Sequence, residues 1–201
     1  MLNMKPKPVR RLVSTVLWQW TREPGSEHFE LFRGRAGWTM HGTIIALGRK
    51  GPTIAEYTIR CDTAWRTQNA NISLRDDSGV RSLRVTLDRE GWFENGRHKR
   101  SLAGCTDLDL EWSPSTNTIA IRRLKLPVGV RSGPQTATWV RFPELTMEPL
   151  PQEYEHLDED HYRYTSSGGA FVLSRKIRLA ASTMRPRGRS LSARLRNVAC
   201  R

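Results

Sequence analysis

The chain has 201 residues, with 33 Lys and Arg against 20 Asp and Glu, for a net charge of +13. That length buries a core without disulfides or metals and suits one domain. Residues 1–11 and 175–201 hold 13 of the basic residues and no acid, and the other 20 cancel the 20 acids between them. A neutral body argues against a nucleic-acid groove in the domain itself. It confines electrostatic binding of nucleic acid or anionic lipid to the tails.

The first apolar run, 12–18, is too short for a secretory leader and has no small-x-small site after it. No window reaches the ~20 apolar residues of a membrane span. Cys61, Cys105 and Cys200 show no CxxC spacing. Reduced thiols in a soluble, cytoplasmic protein are expected, with Cys61 and Cys105 buried.

Taken in chain order, the pattern is almost wholly period two. It predicts strands at 12–20, 28–35, 39–47, 54–60, 71–75, 80–88, 105–112, 118–126, 136–142, 162–166 and 170–179. Short breakers separate them, and Asp77-Ser78-Gly79 and Asn95-Gly96 suit tight hairpins. The Pro- and acid-rich stretch 144–160 reads as a loop or short helical turn, and no segment has helical periodicity. Alone, this pattern gives an all-β barrel or sandwich that curls to hide its edges. The boundaries are a basic extension over 1–11, one domain over 12–180, and a basic disordered tail over 181–201.

Residues 104–126 carry the densest chemistry. Asp107 and Asp109 project from one face of a strand, Leu108 and Leu110 from the other. Ser113 to Asn117 supply a turn, and a second strand over 118–126 then places Arg122 and Arg123 near the acids. Here the sequence resembles a glycolipid-binding family once classed only as a domain of unknown function. Its signature is Gly-Cys-x-Asp-x-Asp-Leu, a Pro-containing turn, then Thr-Asn-Thr-x-Pro-Ile-Arg-Arg-Leu. The matches are Gly104, Cys105, Asp107, Asp109, Leu110, Pro114, Thr116, Asn117, Thr118, Ile121, Arg122, Arg123 and Leu124. Ala120 departs from the family's proline.

Further echoes are Trp18, the turn Gly25-Ser26-Glu27-His28-Phe29, the segment with Cys61, Asp62, Trp65, Arg66 and Thr67, and the pair Tyr162 and Tyr164. The resemblance spans residues 16–176. It implies a curved antiparallel β-roll of two half-barrels around a cavity, and an amphiphile, a glycolipid by the family's label, as partner. Family members continue the last strand into Gly-Leu-Val and Tyr-Pro. Residues 182–201 here have instead the Arg/Ser/Pro/Ala/Gly composition that a shifted reading frame in GC-rich DNA produces, and sequencing the locus tests that origin.

Three functional readings follow. In the first, a non-catalytic binder sequesters acyl carbons against Ile44, Leu47, Ile59, Leu74, Val85, Ile119 and Ile121. Asp62, Trp65, Arg66, Asp107, Asp109, Asn117, Arg122, Arg123 and Tyr162 address the headgroup. Trp65 would stack on a sugar while Asp62 and Arg66 bond its hydroxyls; the plain alternative is Trp65 as a core anchor. In the second, Asp107 and Asp109 are the carboxyl pair of a hydrolase, since positions i and i+2 of a strand lie ~6.6 Å apart. Against it stands a structural network of the acids with Arg122 or Arg123. In the third, the basic tails bind an anionic surface. No metal-ligand spacing, phosphate loop or dinucleotide fingerprint is present, so no cofactor and no metal are expected.

Overall fold

The computed structural model describes residues 10–20, 23–48, 51–166, 169–174, 185–186 and 196–197; the side chains described end at residue 169. Eight strands follow one another as a meander: β1 (Arg11–Gln19), β2 (Gly25–Gly34), β3 (Gly37–Gly48), β4 (Gly51–Cys61), β5 (Thr67–Asp76), β6 (Gly79–Asp88), β7 (Gly91–Glu94) and β8 (Arg97–His98). A second sheet is built from β9 (Asp107–Leu110), β10 (Gln135–Val140), β11 (Met147–Asp158), β12 (His161–Ser166), β13 (Gly169–Ser174) and β14 (Arg185–Pro186). The last strand, β15 (Arg196–Asn197), returns to pair with β1. The two sheets have nine and six strands and are the two curved halves of a mostly β fold, as the resemblance implies. All their pairings are antiparallel except β9 with β10.

Alternation sets the core. Along β2 to β6, Phe29, Leu31, Met40, Ile44, Tyr57, Ile59, Ile72, Leu74, Leu83 and Val85 point inward and are buried. They meet Leu108, Leu110 and Ile119 from the other half in one packed cluster. The expected cavity lining is therefore corrected. Ile44, Ile59, Leu74, Val85 and Ile119 belong to this filled core. Leu47 is exposed, and Ile121 packs half-buried against a second cluster of Ala120, Tyr154, Tyr162 and Tyr164.

Two expected elements are corrected. The strand read over 118–126 is a helix, α1 (Asn117–Leu124), entered through a 3-10 turn at Pro114–Thr116. Pro114 presets the first turn, and Lys125 closes the helix in the left-handed region (φ 49°), two residues before Pro127. Arg122 and Arg123 in the last turn complement the helix dipole. The acid-rich loop read over 144–160 is mostly the twelve-residue strand β11. Pro149 and Pro151 alternate on its first half, where it pairs with β10 alone, so their missing N–H groups fall on an unpaired side.

Residues 1–9 of the basic N-terminal extension lie outside the described residues. So does most of the C-terminal tail, in which only β14 and β15 are described. Cys61 and Cys105 are buried free thiols, as expected.

Candidate functional site

Among the described residues, two polar seams and an open groove gather polar side chains. The first seam joins the nine-stranded sheet to the 3-10 turn. Glu27 alternates with Phe29 and Leu31 on β2 and is 0 % exposed. Its carboxyl accepts from the Tyr57 hydroxyl (2.5 Å), Ser113 (2.6 Å) and Ser115 (3.1 Å). Trp18 Nε1 donates to Ser115 Oγ at 2.7 Å. Burial pushes the Glu27 carboxyl up to about 7 despite three donors, because removing a charge from water outweighs the bonds that favour it. Gly42 stands opposite Tyr57 on the neighbouring strand, and a Cβ there would lie 2.2 Å from the tyrosine ring, so only glycine leaves the ring in place.

The second seam is the motif itself. Asp107 takes a bidentate grip from Arg123, Nε to Oδ1 at 2.8 Å and Nη2 to Oδ2 at 2.7 Å. Gln135 Oε1 accepts a further bond from the same guanidinium at 3.1 Å. Asp109 accepts from Thr116 (2.7 Å) and from Gln152 Nε2 (2.7 Å), and burial pushes it up to about 6. Asn117 Oδ1 accepts from the Tyr154 hydroxyl at 2.8 Å. Arg123 thus approaches Asp107 from a helix, not from a neighbouring strand.

Of the remaining candidates, Asp62, Trp65 and Arg66 lie on the turn between β4 and β5, Tyr162 shares a packed cluster with Tyr154 of this seam, and Arg122 stands beside Arg123 on α1. Asp62 closes a tight turn, its Oδ1 accepting from the N–H groups of Ala64 (2.8 Å) and Arg66 (2.9 Å). Trp65, in the left-handed region at φ 67°, is buried and stacks on Trp38 at 4.6 Å. Arg66 and Arg122 are exposed. Tyr162 is buried, its ring parallel to His156 at 4.2 Å.

The open groove lies on the opposite face of the same strands. Strand register sets its residues in rows. Glu30, His41, Thr58, Asn71 and Arg84 form one row, and His28, Thr43, Glu56, Ser73 and Ser82 the next. The groove holds ≈ 370 Å³ and is bounded by His41, Glu56, Arg84 and Asn95, over a floor that includes Thr58, Asn71, Ser73 and Ser82. Among the described residues, no protein group bonds the side chains of Glu56, Asn71, Ser73, Ser82 or Arg84. Sequence reasoning passed over these residues. The available signal was Asn69-Ala70-Asn71-Ile72-Ser73, where outward positions carry residue types that strands disfavour.

Fold and groove together define a two-sheet β-roll with a packed core among the described residues and an open polar face. The chain belongs to the family described as "Putative glycolipid-binding", whose match runs over residues 15–178. It is similar to the crystal structure, at 1.80 Å resolution, of a DUF1089-family protein from Pseudomonas aeruginosa. The two are 27% identical with a TM-score of 0.64, over 87% of each chain. No curated protein sequence matches the chain. No helix among the described residues is long and apolar enough to cross a membrane.

Proposed function

We propose that the chain is a non-catalytic binding protein for an amphiphile of the glycolipid class, and that the open groove over β3 to β6 takes the headgroup. The observation that carries this reading is the set of unpaired polar side chains at Asn71, Ser73 and Ser82, in two adjoining rows on interior strands of the sheet. Asn and Ser contribute little to a strand. Sequence choices that break a local rule without a structural return gather at functional sites. A saccharide offers hydroxyls that both donate and accept, which suits such a floor, with Glu56 as acceptor and Arg84 as donor at the rim. One cation opposite one anion is a poor match for a phosphate, which favours clustered Arg.

Catalysis by Asp107 and Asp109 draws less support. Asp107 is held in a bidentate ion pair and Asp109 is buried among protein donors. Both are buried, Asp107 3% and Asp109 8% exposed, whereas a glycosidase pair must reach the sugar between them.

The test is native mass spectrometry of the full chain, as purified and then titrated with methyl β-glucoside and octyl β-glucoside below its micellar concentration. An adduct is expected, weakened about tenfold in Asn71→Val/Ser73→Val, whose new residues favour strand. A bare mass in every condition overturns the reading.

A further inference from the structure

The groove ends on one side in an apolar track. Along β3 the outward residues run Thr43, Ile45, Leu47; along the adjoining β4 they run Glu56, Ile54, Pro52. Register pairs them row by row: Thr43 with Glu56, Ile45 with Ile54, Leu47 with Pro52. Ile45 is 55% exposed and Leu47 54%. These are interior strands of the sheet, so the exposed apolar residues do not serve to pair an edge. Single exposed apolar side chains are ordinary, but a contiguous set marks a surface that something covers. Two pleats separate the Glu56 row from the Pro52 row, about 13 Å along the strands. Arg75 interrupts the third row between Ile54 and Val80, which keeps the continuous track on β3 and β4.

We infer that this track is the tail subsite for the ligand whose headgroup occupies the groove. The inference rests on the groove reading and adds an orientation to it. The amphiphile runs diagonally across the strands, sugar over Asn71, Ser73 and Ser82 on β5 and β6, first acyl carbons over Ile54 and Ile45 on β4 and β3. The chain then leaves the sheet past Leu47 and Pro52. Polar rows and apolar rows succeed one another on one face, in the order in which an amphiphile presents head and tail. The packed core is consistent with this arrangement, since Ile44, Ile59, Leu74, Val85 and Ile119 are fully buried in one cluster and not turned to a ligand.

The experiment measures affinity for methyl, hexyl, octyl and decyl β-glucosides, each below its micellar concentration, by titration calorimetry on the full chain. Each methylene that the track covers should tighten binding by about two- to fourfold, fourfold corresponding to complete burial. In Ile45→Thr/Leu47→Thr/Ile54→Thr the dependence on chain length should vanish while methyl glucoside binds as before. Two of these three changes keep a β-branched residue, and all lie on the solvent face, so the fold is retained and circular dichroism checks it. Chain-length dependence that survives the triple substitution overturns the tail subsite and leaves the headgroup reading standing. Equal affinity for all four glucosides in the unaltered chain does the same. A dimer of the unaltered chain that the same substitutions dissociate gives the track to a second copy and also overturns it. Absence of any binding overturns both readings.

Discussion

Glu27 offers the sharpest test of the packing. Its ordinary value of 4.5 rises to about 7 because the carboxyl is fully buried between β2 and the 3-10 turn. Between those values the folded chain holds a proton that the unfolded chain has released, so raising the pH favours unfolding. The contribution is fully present below about pH 4.5 and is lost as the pH rises through about 7; it amounts to about 3 kcal/mol. Asp109 adds a slope of the same sign, from 3.8 to about 6, which any single change at Glu27 leaves intact. The assay is urea unfolding of the unaltered chain and of Glu27→Gln at several values between about pH 5 and about pH 8. The stability difference between the two should shift by about 2–3 kcal/mol over that range, always against the unaltered chain as pH rises. The absolute stability of the variant is no guide, because a glutamine amide must re-pair with Ser115. Parallel curves would refute the reasoning and mean that the carboxyl keeps an ordinary value, solvated or paired in some other way.

Three further outcomes follow from the same packing. Gly42→Ala drives a Cβ into the Tyr57 ring and should lower stability by about 1–3 kcal/mol in urea unfolding, with the tyrosine shifted off Glu27; an unchanged midpoint would mean the ring moves freely. Arg123→Met strands the buried Asp107 and should cost about 3 kcal/mol or more, most of it recovered in Arg123→Met/Asp107→Leu. A loss in the double variant as large as in the single one would show that the ion pair itself, not the stranded charge, is what matters. In a Cys200→Ser chain neither remaining thiol should react with Ellman's reagent before unfolding, since burial pushes Cys61 up to about 12 and also raises Cys105; one fast equivalent would contradict this.

Much of the fold was legible because period-two patterning is unambiguous where one face is buried. β3 and β4 show it well, their inward Met40, Ile44, Ala55 and Ile59 alternating with outward His41, Ile45, Ile54 and Thr58. The pattern failed where a segment is too short to declare a period. In Asn117–Leu124, Ile119 and Ile121 alternate as in a strand, and eight residues hold barely two helical turns. Pro114 and Pro127, which bracket the helix, were the better signal. It fails again on β11, where Pro149 and Pro151 read as loop residues although an unpaired strand side tolerates proline. Glu27 was legible as part of a turn but not as buried, although its spacing from Phe29 and Leu31 places all three on one face.

The recognisable motif and the groove lie in different places, and the physics of burial accounts for this. The two buried seams can take in Asp107, Asp109 and Glu27 only if each carboxyl finds donors, so one residue's identity dictates several others. That interdependence writes a long pattern into the sequence: Asp107 calls for Arg123, Asp109 for Thr116 and Gln152, Glu27 for Tyr57, Ser113 and Ser115. An open groove carries no such requirement, because water satisfies each group singly. Its residues leave only a faint trace, a strand centre populated by Asn and Ser. Tyr57 belongs to both regions: its hydroxyl closes the buried network while its strand neighbours Glu56 and Thr58 point into the groove. The first seam therefore ties β2 and β4, two of the strands that carry the rows, to the 3-10 turn. On the proposed reading, a substitution at the first seam would reach the ligand only by moving those strands, whereas one at Ser73 or Ser82 would act on it directly.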